Sequence, residues 1–534
     1  MAVSLDEFTQ RRAYNAASDF VDANVARGLG GKIAFIDERR KLTFGELQNE
    51  TARLAGGLRT LDLRQESRVA LLLLDSVDYP IAFWGAIRAG VICIPLNTLL
   101  TAEQYAYILG DSRVEAIFVS PALAKIIAPI LERLPHLRTI VIVGGDAADK
   151  AIFPGREVHL FEELLMRGKP ELKPAPTVSD EIAFWLYSSG STGEPKGTRH
   201  VHSSLIATAK LYGQNVLGIR EDDVVYSAAK LFFAYGLGNA MSFPMSVGAT
   251  TVLFSGRPTP DAVFDILQRE RPTIFYGVPT LYAAMLAHKD LARGAGSDRL
   301  RICVSAGEAL PAHVGQRWRE TVSADILDGI GSTEMLHIFV SNAPNDIRYG
   351  SSGKPVPGYD AKILGENGQE VKTDEIGELV VRGPSAAEGY WNQRTKSRRT
   401  FAGDWTYTGD KYTRDKDGYY HYAGRTDDMF KVSGIWVSPF EVEAALISHE
   451  AVLEAAVVGE EDEDKLVKPK AFVVLKPGFT ADERLLEALK TLVKEKAGAW
   501  KYPRWIEVRA DLPKTATGKI QRFKLRKDSA SKPA

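Results

Sequence analysis

The sequence has few cysteines, almost no net charge and no long apolar run. Its 534 residues include only two cysteines, Cys93 and Cys303, and each lies within an apolar stretch. Reduced thiols behave there as small hydrophobic groups, so this usage excludes a disulfide framework and favours a reducing cytoplasm. Lys and Arg total 67 against 68 for Asp and Glu, which leaves no net field to attract nucleic acid or an acidic membrane. We therefore expect small-molecule partners.

The most apolar region, residues 79–100, is interrupted by Arg88, Pro95 and Asn97. A membrane-spanning helix needs about 20 apolar residues in succession, and this region falls short of that length. Charged residues also interrupt the N-terminal segment, which therefore does not fit a secretory signal. The sequence predicts neither a membrane span nor export.

What is present is a chain that is 45% hydrophobic and long enough for two or three domains. Between about residues 34 and 383, short strand-like apolar runs alternate with amphipathic helical patterns, as in a layered α/β domain. Many of these runs are apolar on both faces, which indicates sheets covered by helices on each side. In the segment 260–270 the spacing predicts one buried stripe, formed by Val263, Phe264, Ile266 and Leu267.

The pattern changes after about residue 427 to a smaller α+β unit. Its first helix is well specified, because Ser438 can cap it and a proline and a glutamate follow at the favoured positions. The charged segment 424–434 lies between a strand and this helix and is the predicted linker. We predict one domain over residues 1–426 and a second over 427–534.

The strongest motif is YSSGSTGEPKG, at residues 187–197, directly after a strand-like run. Its small residues allow backbone amides and hydroxyl groups to surround phosphate oxygens, and its lysine can neutralise their charge. A flexible connector is the alternative for any loop of this composition. No glycine of the motif is followed by Lys-Ser or Lys-Thr at the required offset, so a P-loop ATPase or kinase is disfavoured. The candidate phosphate-binding residues are Ser188, Ser189, Gly190, Ser191, Thr192, Gly193 and Lys196.

This motif resembles the signature of the adenylate-forming superfamily, which includes acyl-CoA synthetases, luciferases and the adenylation domains of peptide synthetases. The other motifs of that superfamily follow in order and cover nearly the whole chain. The resemblance implies an α/β fold: a large N-terminal domain of layered α/β subdomains plus a β-rich subdomain, and a small, mobile α+β C-terminal domain. It also implies ATP and coenzyme A as substrates, Mg²⁺ as cofactor and, from the family alone, a homodimer.

The segment GIGSTE resembles the second nucleotide motif, in which Thr333 would contact the α-phosphate and Glu334 would hold Mg²⁺. A surface turn is the alternative for such a segment. One departure is Ile330, where the family commonly has an aromatic residue that stacks on adenine. The other nucleotide-binding residues that the resemblance implies are Ala306, Gly307, Glu308, Asp328 and Gly329.

Three later motifs complete the implied nucleotide site. In WTYTGD, Asp410 would accept hydrogen bonds from both ribose hydroxyls, although Asp in such a turn is otherwise a turn former. Arg425 would contact phosphate or ribose, and Asp427 matches the hinge position of the family. In the C-terminal PKTATGKIQR, the resemblance assigns the catalytic role to Lys519 and not to Lys514.

The resemblance also implies a CoA tunnel and an acyl pocket. Lys431, Ser433 and Gly434 would line the tunnel, where a side chain at Gly434 would crowd the passing thiol; a plain turn glycine is the alternative. The pocket would be narrow and apolar, although aromatic residues beside glycines more often belong to a core. The segments 230–239 and 334–339 are very similar to those of benzoate–CoA ligases, and the resemblance implies the pocket residues Phe233, Ala234, Tyr235, Gly236, His337 and Ile338.

The implied reaction activates a carboxylate, which is otherwise too poor an acyl donor for a thiol. The acid attacks the α-phosphorus of ATP, pyrophosphate leaves, and CoA then displaces AMP from the acyl-adenylate. Catalysis is expected to come from positioning and from positive charge aimed at the phosphates. The implied acid is benzoate or a close relative, with hydroxybenzoate and aminobenzoate open. Loading of a carrier protein, a luciferase-like oxygenation and a regulatory nucleotide-binding role without turnover stay open as well.

Overall fold

The computed structural model describes residues 8, 10–190, 193–289, 291, 296–426, 428–432, 435–463, 466–498, 501–514 and 520–530. The chain divides into two compact units. The larger is formed by Met1–Ala361 and Val380–Thr408, and the smaller by Lys362–Leu379 and Gly409–Ala534. The α/β fold class with a large N-terminal and a smaller C-terminal part is thus confirmed. The predicted boundary between residues 426 and 427 stays a prediction.

A nine-stranded sheet runs through the larger unit. Its six inner strands pair in parallel, and the pairings at both ends are antiparallel. The parallel strands are mostly buried, as the runs that are apolar on both faces predicted. In order across the sheet the strands are Lys354–Pro355, Ile338–Ser341, Asp325–Gly331, Ile302–Ser305, Ile274–Gly277, Val224–Ser227, Thr250–Val252, Ile33–Ile36 and Lys41–Thr43.

A seven-stranded sheet is the second sheet of this unit, and only its last pairing is antiparallel. That pairing joins the two strands that contain the phosphate motif, at one edge of the sheet. The strands in order are Glu157–Leu160, Thr139–Ile142, Ala116–Val119, Arg68–Leu72, Ile92–Pro95, Ile182–Gly190 and Gly193–Val201.

Helices follow most strands of the larger unit. Four short stretches have π geometry, at Ser18–Asp22, Val25–Leu29, Ala209–Gln214 and Gly238–Ser242, and two are 3₁₀ helices, at Ala128–Arg133 and Ala147–Ile152. No helix among the described residues is long and apolar enough to cross a membrane. The α-helices are Phe44–Thr60, Asp78–Arg88, Ala102–Ser112, Pro121–Ile127, Phe161–Arg167, His202–Thr208, Ala234–Leu237, Phe243–Val247, Pro260–Glu270, Pro279–Leu286, Ala312–Val322 and Arg394–Thr400.

The helix Pro260–Glu270 shows how local sequence sets these elements. The hydroxyl of Thr259 accepts a hydrogen bond from the Ala262 amide and caps the helix. The predicted apolar stripe is confirmed, because its four residues are buried in a cluster that packs on the nine-stranded sheet. Both cysteines are also buried and unpaired within strands, as expected. Burial raises the pKa of each thiol.

The predicted helix of the smaller unit is present at Pro439–Ile447. Its predicted cap is confirmed, because the Ser438 hydroxyl accepts a hydrogen bond from the Glu441 amide at 3.2 Å. The predicted linker is not irregular throughout, because part of it pairs as a short strand. Two more helices follow, at Glu483–Lys496 and Arg522–Ala530. The strands are Phe430–Val432 with Ile435–Val437, and the three-stranded sheet Val452–Glu461, Val467–Leu475 and Trp505–Val508. Five further strands of the chain form another sheet: Asp360–Leu364, Gly377–Arg382, Phe401–Ala402, Trp405–Arg414 and Tyr420–Arg425.

Candidate active site

The phosphate motif is built on two antiparallel strands, whereas the sequence suggested a loop that begins after the first strand. The strand continues to Gly190 and the chain returns from Gly193, and Ser188 pairs with Lys196 across the ladder. The backbone hydrogen bonds of this pairing therefore hold most of the motif extended. Ser191 and Thr192 lie outside the described residues. Of Ser189, Gly190 and Gly193, only the backbone is described.

Lys196 and Glu334 form an ion pair in the larger unit. The lysine Nζ lies 3.0 Å from Oε1 of Glu334, and the two side chains are only 20% and 15% exposed. The hydroxyl of Tyr390 accepts a hydrogen bond from Lys196 Nζ at 2.8 Å and donates one to Glu334 Oε1 at 2.7 Å. Burial alone would raise the pKa of Glu334, but the charge of Lys196 and these hydrogen bonds bring the pKa below its usual value. Glu334 is therefore a carboxylate anion.

A buried histidine fixes the backbone beside Glu334. Nε2 of His200 lies 2.8 Å from the carbonyl oxygen of Thr333, to which it donates. Burial lowers the pKa of His200 to about 4, so the ring is neutral near pH 7. The amide of Ala387 donates to the Glu334 carbonyl at 2.8 Å. Hydrogen bonds to the carbonyl oxygens of Thr333 and Glu334 thus fix the backbone of this segment.

The residues proposed to line adenine lie on one parallel strand and just beyond its neighbour. Ser305 ends its strand and is the register partner of Asp328, whose strand continues to Gly331. Gly307 has a φ of 94° and open space where a side chain would stand. Burial raises the pKa of Asp328 to about 8. Ala306 and Asp328 are buried, whereas Glu308 and Ile330 are half-buried. Gly329 packs closely, since a Cβ there would lie 2.8 Å from the Val340 carbonyl oxygen.

Asp410 and Arg425 lie in the smaller unit on paired antiparallel strands. Nη1 of Arg425 donates to Oδ1 of Asp410 at 2.9 Å. Asp410 is 8% exposed, while the arginine side chain is 44% exposed. The pair combines a buried acceptor with a cation at the surface.

The residues proposed for the acyl pocket are brought together around a buried imidazole. Nε2 of His337 lies 3.2 Å from the Tyr235 carbonyl oxygen and 3.1 Å from Oδ1 of Asn239. Both partners are acceptors, so Nε2 carries the hydrogen. Burial lowers the pKa of His337 to about 3, which keeps the ring neutral. Aromatic rings surround it, with centroid distances of 5.6 Å to Tyr235, 5.5 Å to Tyr212 and 4.4 Å to Phe243.

The close packing at this imidazole requires small residues. A Cβ on Gly238 would lie 2.3 Å from Cδ2 of His337, and one on Gly236 would lie 2.0 Å from the Lys230 carbonyl oxygen. Phe233 precedes the helix Ala234–Leu237, and Ile338 opens the strand Ile338–Ser341. The pocket segment is therefore bounded by backbone on one side and by His337 on the other.

The predicted CoA and hinge residues are described only in part. The backbone of Lys431 lies in the strand Phe430–Val432, and Ser433, Gly434 and Asp427 lie outside the described residues. Lys519 also lies outside them. Lys514 and Ile520, which are described, form an isolated antiparallel bridge.

Sequence reasoning missed three residues of this site: Tyr390, His200 and Asn239. Tyr390 lies 194 residues beyond Lys196, and His200 lies 133 residues before Thr333. The single sequence carries no signal that pairs residues so far apart. Asn239 is the exception, because it lies three residues after Gly236 and a polar side chain there is unusual among apolar neighbours.

Two family models match the chain. The AMP-binding enzyme model matches residues 22–391, and the model of the AMP-binding enzyme C-terminal domain matches residues 441–519. A 4-hydroxybenzoate–CoA/benzoate–CoA ligase of Rhodopseudomonas palustris is 56% identical over 96% of this chain and 94% of its own length. A benzoate–CoA ligase of Thauera aromatica is also 56% identical, over 96% of each chain.

Solved structures agree with these relatives. A benzoate CoA ligase from Burkholderia xenovorans LB400 is 50% identical and superposes with a TM-score of 0.88, covering 96% of this chain and 100% of its own. The anthranilate CoA ligase AuaEII, solved with anthranoyl-AMP, is 45% identical with a TM-score of 0.90 over 97% of each chain. The likeness extends through both units.

Proposed function

The chain belongs to the AMP-binding enzyme family, and we propose that it is an AMP-forming ligase that joins benzoate, or a close aromatic carboxylate, to CoA. The observation that carries this proposal is 56% identity to two benzoate-using ligases over 96% of the chain. The pairing of Lys196 with Glu334 supports it, since a cation and a carboxylate are what a magnesium–nucleotide site requires. ATP and CoA are the co-substrates.

In the first half-reaction a carboxylate oxygen of the acid bonds to the α-phosphorus of ATP. The bond from that phosphorus to the bridging oxygen breaks, and pyrophosphate leaves with the electron pair. Negative charge spreads over the phosphoryl oxygens, so positive charge and donors lower the barrier. We assign these roles to Lys196, Thr333 and Lys519. We assign the phosphates to the motif at 188–193. We assign adenine to residues 306–308 and 328–330, and the ribose to Asp410 and Arg425.

Magnesium fits the side chains of this site. The described residues contain no group of three or more His, Cys, Asp and Glu that could hold a metal without help. Mg²⁺ is usually bound through one or two carboxylates, substrate phosphates and water. The mostly buried Glu334 carboxylate would supply one such ligand, and the phosphates of ATP would supply others. When bound, the ion would neutralise charge on the leaving pyrophosphate.

In the second half-reaction the CoA thiol loses its proton and its sulfur attacks the acyl carbon of the adenylate. A carbon–sulfur bond forms, the bond from that carbon to the AMP oxygen breaks, and AMP leaves. We assign the path of the thiol to Lys431, Ser433 and Gly434. Asp427 is proposed as the hinge about which the C-terminal domain, residues 427–534, turns between the two steps.

A second candidate is a ligase for a hydroxy- or amino-substituted benzoate. Nδ1 of His337 and Nδ2 of Asn239 are buried and have no hydrogen-bond partner among the described residues. Buried polar atoms without partners are costly, and a ring substituent could pair with them. Two relatives favour this candidate: the Rhodopseudomonas enzyme is named for 4-hydroxybenzoate as well as benzoate, and AuaEII is named for anthranilate.

A substrate panel tests both candidates. The purified chain is supplied with ATP, Mg²⁺, CoA and either benzoate, a 2-, 3- or 4-hydroxybenzoate, an aminobenzoate or cyclohexanecarboxylate, and kcat/KM is measured from AMP and thioester formation. A benzoate ligase uses benzoate best. A site built around the substituent would reject benzoate by orders of magnitude. Turnover of none of these acids would contradict the proposal.

Loading of a carrier protein is a further alternative. A p-hydroxybenzoic acid–AMP ligase of Mycobacterium tuberculosis is 33% identical over 92% of this chain. An acyl-adenylate that persists when CoA is added and disappears when a carrier protein is added would identify a carrier-loading enzyme.

We also propose that the protein is a homodimer in the cytoplasm that binds neither nucleic acid nor membrane. Analytical ultracentrifugation of the purified chain tests the dimer.

A further inference from the structure

Tyr390 contacts both charged residues of the phosphate site. Its hydroxyl accepts a hydrogen bond from the Lys196 ammonium at 2.8 Å and donates one to Oε1 of Glu334 at 2.7 Å. The ammonium also lies 4.3 Å from the centroid of the Tyr390 ring. Tyr390 is only 3% exposed. This side chain therefore connects the ion pair through both its hydroxyl and its ring.

The backbone around Tyr390 is fixed to the same two elements. The segment 387–391 lies beside the strand that contains Lys196 and also reaches the backbone of Glu334. Its hydrogen bonds are Ala387 N to Glu334 O at 2.8 Å, Glu388 N to Arg199 O at 3.0 Å, Arg199 N to Gly389 O at 3.1 Å and Trp391 N to Gly197 O at 2.8 Å. Ser397 Oγ accepts from the Tyr390 amide at 2.9 Å. The backbone that carries Tyr390 is thus fixed by hydrogen bonds other than those of the ion pair.

We propose that Tyr390 is a positioning residue for the magnesium and phosphate site, a role that rests on the proposed function. Lys196 is bonded to Glu334 in this structure, and it must turn toward phosphate when ATP binds. Glu334 would then lose one of its donors in a buried setting, where an unpartnered carboxylate is costly. The Tyr390 hydroxyl stays on Oε1 and keeps the carboxylate oriented. Its ring keeps the departing ammonium close by.

The test is Tyr390→Phe, which removes the hydroxyl and keeps the ring that packs 5.4 Å from Phe401. Tyr349→Phe is the matched control, because it deletes a phenol that donates to the Asp325 carboxylate at 2.9 Å outside the site. Binding of a non-hydrolysable ATP analogue is measured by calorimetry with and without Mg²⁺. Thermal unfolding is followed in parallel.

We expect Tyr390→Phe to weaken binding of the analogue about ten- to a hundredfold with Mg²⁺, the effect of losing a hydrogen bond to a charged group. The loss should be smaller without Mg²⁺, and the control should bind as the wild type does. Thioester formation from supplied benzoyl-adenylate should proceed at the wild-type rate, because pyrophosphate has already left. Unchanged binding with Mg²⁺ would overturn the proposal, as would equal slowing of both half-reactions.

A double mutant shows whether Tyr390 acts through Glu334. In a Glu334→Gln background, Tyr390→Phe should weaken binding little further, because the carboxylate that it orients is already gone. Independent, multiplicative losses would contradict the assignment. Failure of the proposed function is recognised separately, since the wild-type chain would then form no thioester from any acid of the panel. If the wild type forms the thioester and Tyr390→Phe binds the ATP analogue as tightly as the wild type does, only the positioning role is refuted.

Discussion

Asp410 and Arg425 face each other across two antiparallel strands, and the arginine donates to the buried carboxylate at 2.9 Å. The arginine binds one oxygen of the carboxylate, and under the proposed function the ribose hydroxyls donate to the same side chain. Asp410→Asn should therefore weaken binding of an ATP analogue by about ten- to a hundredfold, the effect of losing hydrogen bonds to a charged acceptor. Isothermal calorimetry measures it. Asp360→Asn, which also removes a carboxylate from an arginine pair at 3.0 Å, should leave binding unchanged. Equal losses in both variants would remove the ribose assignment.

Lys519→Ala should abolish adenylate formation and spare the second half-reaction. The positive charge is needed only while the phosphoryl oxygens gain charge, and losing one such donor costs about 3–4 kcal/mol of barrier. Acid-dependent pyrophosphate release measures the first step, and consumption of supplied benzoyl-adenylate with CoA measures the second. Lys514→Ala is the control from the same motif. Its ammonium is already paired with Glu454 at 2.8 Å, so both half-reactions should persist. Equal loss of both steps in Lys519→Ala would contradict the role.

Gly236→Ala should damage use of the acid more than use of ATP. The added Cβ would lie 2.0 Å from the Lys230 carbonyl oxygen, so the pocket segment must move. Overpacking of this kind costs about 1–3 kcal/mol, and kcat/KM for benzoate should fall about tenfold or more. Gly110→Ala is the control, since nothing lies within 4 Å of the new Cβ and the site is helical. A benzoate kcat/KM that is unchanged in Gly236→Ala would show that this segment does not form the pocket.

Glu443 should be a large contributor to the stability of the smaller unit. Its carboxylate accepts from Arg522 at 3.0 Å and 2.6 Å and from the Val457 amide at 2.7 Å, and it is 6% exposed at the side chain. Glu443→Ala removes the closer of the two carboxylates that pair with Arg522, which keeps only Asp428 at 3.3 Å, and it leaves the Val457 amide without its acceptor. Loss of hydrogen bonds to a charged group in such a setting costs about 1.5–3 kcal/mol. Hydrogen exchange in the strand Val452–Glu461 measures the loss.

The control lies two residues earlier in the same helix. Glu441 pairs with Lys501 but is 42% exposed, so Glu441→Ala should cost only about 0–1 kcal/mol. Comparable destabilisation by the two substitutions would show that burial of the Glu443 pair is not the cause.

His202 should make the protein less stable in acid. Burial lowers its pKa to about 4 from 6.5, so the unfolded chain binds a proton at pH values where the folded protein does not. This contribution is fully present above pH 6.5 and is lost as the pH falls from 6.5 to about 4, by about 1.4 kcal/mol per pH unit. Asp75, whose pKa burial raises to about 6, acts in the opposite direction.

The test compares the free energy of unfolding of the wild type with that of His202→Asn. The effect of Asp75 cancels because both proteins contain it. Urea unfolding at several pH values should show the wild type losing stability relative to the variant below pH 6.5, with a constant difference above it. A difference that does not change with pH would mean that His202 is protonated alike in the folded and unfolded chains.

The candidate residues of the site were predicted from short segments, because each motif places a polar or charged residue beside a recognisable local pattern. Lys196, Glu334 and Asp410 were singled out in this way, and the first two do meet in the structure. The helix cap at Ser438 and the stripe at 260–270 were likewise predictable, since capping and periodicity act over a few residues.

Tertiary structure decided what those segments touch. Tyr390 joins Lys196 and Glu334 only because backbone pairing sets residues 387–391 beside a distant strand, and no local pattern of one sequence encodes that contact. The same holds for the phosphate motif. Backbone pairing extends one strand to Gly190 and begins the next at Gly193. It holds also for residues 362–379, which pack with the smaller unit. By itself the sequence determined which side chains are candidates for the chemistry, because residue type and near neighbours suffice for that. The folded chain determined their partners and protonation, because burial and long-range hydrogen bonds exist only after folding.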